Sequence, residues 1–183
     1  MRLLVLAVLL AVAVPVASAQ SFTPLVEGAL ELGGDDLFAV YFTNGSSQEI
    51  QAGQGGTLAV GVEGRPVASL PVAVRGTVGF KFVGTAADNA NIYFTRIPVE
   101  LVARYEHAGG VHAGVGATAH LFNRLHGDDF LDDKTFDAAF GPTVEVGWKW
   151  VALTYTSLSY TDEQGNTFDA AAPGLSFVYR IRR

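Results

Sequence analysis

The sequence contains no cysteine, which excludes disulfide and thiolate chemistry. Lysine is nearly absent as well, with Lys81, Lys134 and Lys149 the only examples. Charged residues make up 16% of the chain, below the roughly one quarter usual in soluble domains. The formal net charge is −6 and no basic run exists, so nucleic acid is not an expected partner. Beyond the first twenty residues no apolar run approaches the length of a membrane helix. Helical periodicity is scarce too. A chain of this kind enters a membrane only as strands.

The N-terminus is read separately. Met1-Arg2 is followed by an apolar stretch from Leu3 to Val16 and then by Ala17-Ser18-Ala19 before Gln20. A charged start, a short apolar core and a small-x-small end are the marks of a cleaved secretory signal. The division is therefore a signal peptide at 1–19 and one domain at 20–183.

What fills that domain is alternation. In 70–83, Leu70, Val72, Val74, Val78, Phe80 and Phe82 fall on one face, and Arg75, Thr77, Gly79 and Lys81 on the other. A period of two sends these sets to opposite sides of a sheet. Ile97, Val99, Leu101, Ala103 and Tyr105 likewise oppose Arg96, Glu100, Arg104 and Glu106. Val111, Ala113, Val115, Ala117, Ala119 and Leu121 oppose His112, Thr118 and His120, and Phe136, Phe140, Val144, Val146 and Trp148 oppose Thr143 and Glu145. Leu175, Phe177, Tyr179 and Ile181 oppose Ser176, Arg180 and Arg182. The segment at 150–160 is strand-like with no decided facing. Eight strands are predicted, at 25–33, 55–65, 70–83, 92–106, 111–122, 135–148, 150–160 and 168–182. Most approach the roughly nine to eleven residues of a tilted membrane strand. Asn44-Gly45, between Phe38 to Thr43 and Ser46 to Ile50, predicts a hairpin inside the first long link.

Long polar links at 34–54, 84–91, 123–134 and 161–167 alternate with tight turns at His107 to Gly110 and Trp148-Lys149-Trp150. Bacterial membrane barrels show this asymmetry, with the short turns periplasmic. The polar face carries both signs: Glu27, Glu31, Glu63, Glu100 and Glu145 against Arg65, Arg75, Lys81, Arg96 and Arg104. A narrow lumen accepts such charges when they pair. Aromatics fall toward the strand ends. Phe80, Phe82, Tyr93, Phe94, Phe122, Phe136, Tyr160 and Phe168 are assigned to a loop-end belt, and Tyr105, Trp148, Trp150, Phe177 and Tyr179 to a turn-end belt. The fold expected is all-β: an eight-stranded antiparallel up-and-down transmembrane β-barrel.

The signal, the run Thr77-Val78-Gly79-Phe80-Lys81-Phe82 and the last strand Gly174 to Tyr179 together resemble the small outer-membrane β-barrel superfamily, with its eight-stranded OmpA, OmpX and OmpW types. The resemblance covers the mature chain and identifies an architecture, not a subfamily. It implies a bacterial outer-membrane location, with membrane lipids, lipopolysaccharide and the outer-membrane assembly machinery as partners, and an extracellular partner of the loops. It implies a terminal aromatic as well, whereas this sequence ends Tyr179-Arg180-Ile181-Arg182-Arg183. The peptidoglycan-binding domain of full OmpA-type proteins is not expected.

The chemistry-bearing residues nominate little. His112 and His120 share one strand face but stand eight residues apart, about 26 Å along a strand, too far to share a metal. They are expected to pack in the lumen. A lipid hydrolase would need nucleophile, base and orienter in contact. His126 with Asp128 or Asp129 and Ser46, Ser47 or Ser159 is the set to check. Asp128, Asp129, Asp132 and Asp133 cluster in one link but match no calcium loop. No catalytic residue, cofactor or metal site is assigned. The expected role is non-enzymatic: envelope structure or loop-mediated surface interaction. The alternatives are a soluble exported ligand-binding barrel and a lipid-modifying enzyme. Channel activity is not expected, because eight strands enclose only their own side chains.

Overall fold

The computed structural model describes residues 22–41, 47–85, 91–128 and 132–181. The signal sequence, the Asn44-Gly45 turn and Arg182 lie outside them. The described residues form strands only: β1 Thr23–Glu31, β2 Asp36–Tyr41, β3 Ser47–Gln51, β4 Gly55–Gly64, β5 Val72–Gly84, β6 Tyr93–Glu106, β7 Val111–His126, β8 Lys134–Phe136, β9 Ala139–Trp148, β10 Val151–Thr156, β11 Ser159–Thr161, β12 Thr167–Asp169 and β13 Ala172–Arg180.

Eight of them close a barrel. The order β6-β5-β4-β1-β13-β10-β9-β7 is completed by β6 pairing with β7, so no main strand is left with a free edge. Each neighbour is antiparallel, from Val26 opposite Tyr179 and Val60 to Leu101 opposite Ala117. The eight expected strands are these eight. The last three are subdivided: 135–148 into β8 and β9, 150–160 into β10 and β11, and 168–182 into β12 and β13. β2 and β3 form the extra hairpin, paired from Tyr41–Ser47 to Asp36–Gln51.

The tight turns fall at one end. Lys149-Trp150 joins β9 to β10, with Lys149 at φ 56°, and Gly109 and Gly110 turn the 107–110 link at φ 91° and 89°. Both hairpins, β2–β3 and β11–β12, stand at the other end.

The faces follow the alternation. Leu58, Val60, Val62, Val78, Phe80, Leu101, Val115, Val146, Leu153 and Leu175 are exposed on the outside. Glu27, Glu63, Arg75, Lys81, Arg96, Arg104, His112, His120 and Glu145 are buried inside. β10, undecided from sequence, turns Ala152 and Thr156 inward and Leu153 and Tyr155 outward. A soluble barrel has the opposite polarity. This is the polarity of a barrel that crosses a membrane, where strands present apolar side chains to lipid and charges to the lumen.

One place breaks the alternation. The β6–β7 register shifts between Thr95 and Ile97, and Phe122 of β7 sits at φ 53°. This is a bulge: β7 carries one extra residue there. Below it His120 points inward, and above it Asn123 and Leu125 do. The neighbouring strand steps with it: Asp137 and Ala138 are both exposed between β8 and β9. Phe136 therefore points inward while Phe140 points outward, which corrects the expectation that they share a face.

Candidate functional site

The lumen is built in layers. The lowest is an ion-pair ladder. Arg75 of β5 reaches Glu145 at 2.8 Å, Glu100 at 3.1 Å and Glu27 at 3.6 Å, drawing on three other strands. Arg104 bonds Glu63 and Glu106, and lies 3.8 Å from Glu145. Arg180 holds Glu63 at 2.7 Å. Alternation supplies this set, because the charges occupy inward positions spread over six strands, β1, β4, β5, β6, β9 and β13. Mutual pairing then makes their burial tolerable. Above the ladder, Glu27, Thr57 and Ser176 line a void of about 50 Å³, room for a water-sized guest and far below the several hundred Å³ of a ligand site.

The upper layer is a clamp. The chain leaving β3 turns back at Gln51–Gln54 and enters the barrel mouth. Lys81 Nζ donates to the Gly53 carbonyl at 2.7 Å and pairs with Glu31 at 2.7 Å. Arg96 donates to the carbonyls of Ala52 at 2.7 Å and Gln54 at 2.5 Å, with its guanidinium 4.2 Å over the Phe94 ring. Gly53 is required by this approach: a Cβ there would lie 2.7 Å from the Ala170 carbonyl. Asp35 ties the same loop to the last one, its amide donating to the Asp169 carbonyl at 2.7 Å and its carboxylate accepting from the Asp169 amide.

An apolar cap covers the clamp. Ile50, Ala52, Val83, Ile92, Phe94, Leu125, Phe136, Ala139, Leu158, Tyr160 and Ala170 pack together, with Leu37, Phe38 and Phe168 against them. Phe94, Phe136 and Tyr160 form a mutual aromatic cluster, and His120 hydrogen-bonds the Tyr160 hydroxyl. This corrects the loop-end belt. Phe94, Phe136 and Tyr160 turn into the cap and Phe168 packs on it, because bulge and loops fold the strand tops inward. Phe80, Phe82 and Phe122 do face outward. So do Tyr105, Trp148, Trp150, Phe177 and Tyr179 of the turn-end belt.

The expected lumen charges are placed as foreseen except at two positions. Arg96 takes backbone carbonyls in place of a carboxylate, and Arg65 lies at the turn-end mouth, bonded to Glu106. His112 and His120 are buried in the lumen. His126 sits on the loop rim, with Nδ1 3.1 Å from Asp133 Oδ1 and its ring 5.0 Å from that of Tyr93. Asp128 accepts instead from the Asn91 amide at 2.7 Å. Ser46 and Asp129 lie outside the described residues, and neither Ser47 nor Ser159 bonds His126. The Gly127 amide, and then His126, hold the Asp133 carboxyl below the ordinary carboxylate range. Asn166 does the same for Asp162, first through its side-chain amide. Among the described residues no three His, Asp or Glu are grouped to hold a metal. Reading from sequence missed the inward clamp of 52–54 and Asn123, whose Nδ2 donates to the carbonyls of His120 at 3.1 Å and Asp137 at 2.7 Å. Backbone carbonyls carry no sequence identity, so no motif announces the clamp.

The class these features define is the closed eight-stranded up-and-down membrane barrel, with lipid-facing apolar strands and a filled, charged lumen. No protein-family model and no curated protein matches the chain. Among solved structures it is similar to Neisserial surface protein A (NspA), at 14% identity and TM-score 0.48, covering 87% of this chain and 99% of that one. It is also similar to Ail, the attachment invasion locus protein of Yersinia pestis, at 7% identity and TM-score 0.44, covering 87% and 98%.

Proposed function

We propose that the protein is a non-enzymatic barrel of the Gram-negative outer membrane, sealed to solutes, that serves envelope structure or presents its loop end to a partner outside the cell. The observation that carries this reading is the closed lumen. Ion pairs bridge it wall to wall at Arg75 and Arg104, and backbone fills its mouth at 52–54. A transporter needs an open path, and the void between the strand walls, about 50 Å³, has room for little more than water. The loop end is where a rigid scaffold displays variable surface.

In this reading residues 1–19 are removed on export, and the mature domain begins at Gln20. The apolar exterior meets outer-membrane lipid and lipopolysaccharide after delivery by the assembly machinery. The hairpin loops face outward from the cell and the short turns face the periplasm.

Fractionation and planar-bilayer recording test the reading together. The expected result is detergent-dependent recovery with the outer membrane and no steady conductance. Free periplasmic protein would support the soluble alternative, and a stable open channel would end the sealed-barrel reading. Acyl release from phospholipid or lipopolysaccharide that disappears in His126→Ala would replace it with a lipid hydrolase.

A further inference from the structure

The barrel is shut at its loop end but hollow at its turn end. There the 107–110 turn, the Lys149-Trp150 turn and the adjoining strand ends line an open vestibule of about 730 Å³, the size of an ordinary small-molecule site. Its ionisable lining is one-sided. Arg65, Lys149 and Arg180 face a single carboxylate, Glu106, with the imidazoles of His107 and His112 beside them. A chain of formal net charge −6 thus gathers cations at this mouth.

Part of that charge is already engaged. Arg65 bonds Glu106, and Arg180 grips Glu63 through Nε at 2.7 Å and Nη2 at 3.2 Å. Two groups are not engaged in this way. Lys149 Nζ lies 4.2 Å over the Trp148 ring at the rim, with no carboxylate of a described residue paired to it. His112, only 5% exposed, lines the cavity, and its ring forms no side-chain hydrogen bond with any described residue. The imidazole is therefore free to bond whatever fills the hollow, water or guest. The wall is shaped for that ring. A Cβ on Gly147 would fall 2.6 Å from His112 Nε2, so the histidine holds its place only because position 147 has no side chain.

We propose that this vestibule binds a small ligand bearing oxyanions, carboxylate or phosphate. The His112 imidazole hydrogen-bonds an anionic oxygen from the wall, and Lys149 and Arg180 supply the charge that draws it in. Arg180 retains donors beyond the two that hold Glu63, since a guanidinium carries five N–H groups. Glu106 opposes the ligand only weakly, being shared among Arg65, Arg104 and Arg180. The site lies at the opposite end from the loops. Its chemistry does not depend on which side of the membrane the loops face, so its failure leaves the sealed-barrel reading intact.

The test uses the mature protein folded in detergent micelles at low salt. Pyrophosphate and citrate are titrated separately, followed by calorimetry and by the histidine and arginine side-chain NMR signals. Saturable binding is expected, with His112 and Arg180 signals moving together. Losing one charge-assisted hydrogen bond corresponds to about tenfold in affinity, the weakening expected in His112→Leu. His112→Gln, which keeps a donor, should recover most of it. Lys149→Glu alters an exposed turn without touching the lumen, and should weaken binding several-fold even if His112→Leu fails to fold. Tighter pyrophosphate marks a phosphate ligand, and tighter citrate a carboxylate. Absence of saturable binding by both probes, or binding that Lys149→Glu leaves unchanged, overturns the proposal.

Discussion

The two halves of the lumen are closed by different physics. The turn half is bridged by side-chain ions: Arg75 and Arg104 span to Glu27, Glu63, Glu100 and Glu145 from other strands. The loop half is closed by backbone and oil. Lys81 and Arg96 hold the carbonyls of 52–54, and Phe94, Phe136 and Tyr160 cover them. In the first half each buried charge depends on several partners at once. In the second, Lys81 and Arg96 hold neutral carbonyls of a single loop, and Lys81 has one carboxylate partner, Glu31. Damage should therefore spread globally below and stay local above.

The largest expected effect breaks the ladder. Arg75→Met removes the cation shared by Glu27, Glu100 and Glu145, and leaving buried charge uncompensated costs roughly 3–5 kcal/mol. Urea unfolding in lipid vesicles measures it. A loss under 1 kcal/mol would mean that the ladder is solvated and does not bridge the barrel.

Next comes the outer face. Val78 lies mid-strand and faces outward, whereas Val74 pairs with Gly64 near the turn end. Arginine on the lipid face costs about 2–4 kcal/mol at the midplane and about 0–1 near the interface. Val78→Arg should therefore damage vesicle folding far more than Val74→Arg. Equal effects would misplace the membrane along the barrel.

A smaller effect belongs to the clamp. Arg96→Met leaves the Ala52 and Gln54 carbonyls without their donors, a cost of about 1–3 kcal/mol for buried groups. Hydrogen exchange should rise in the cap and the β2–β3 hairpin while barrel-strand amides stay protected. Uniform loss of protection would erase the distinction between the halves.

The smallest effect is acidic loosening of one loop. Asp162 is held below its ordinary value of 3.8, chiefly by the Asn166 amide and then by the backbone amides of Asn166 and Gln164. A depressed carboxylate contributes above its unfolded value, and that contribution fades as pH falls through the lower folded one. The amide shifts of Gln164 and Asn166 should thus titrate with a midpoint below 3.8. A midpoint at or above that value would contradict the assignment.

The same contrast decided what could be read from sequence. In the turn half, inward Glu63, Arg75, Arg104 and Glu145 alternate with outward Val62, Val74, Ala103 and Val144. Polar against apolar is a signal that period two exposes. In the loop half, inward Phe94, Leu125, Phe136, Leu158 and Tyr160 are as apolar as anything facing lipid. Alternation there has no contrast, so these aromatics read as a belt. The bulge at Phe122 adds a change of phase that no glycine or proline marks. Hairpin and strand positions were legible because turn chemistry and periodicity are local. The clamp was not, because Arg96 recognises carbonyls forty-two residues away at Gln54.

The central claim is the polarity of the barrel, and it is tested most directly along β5. Single nitroxide labels are placed from 72 to 84 in vesicle-reconstituted protein, and collision with dissolved oxygen is measured. The account predicts a period of two, with 78, 80 and 82 open to lipid-dissolved oxygen and 75, 81 and 83 shielded. The opposite phase, or no periodicity, would contradict it.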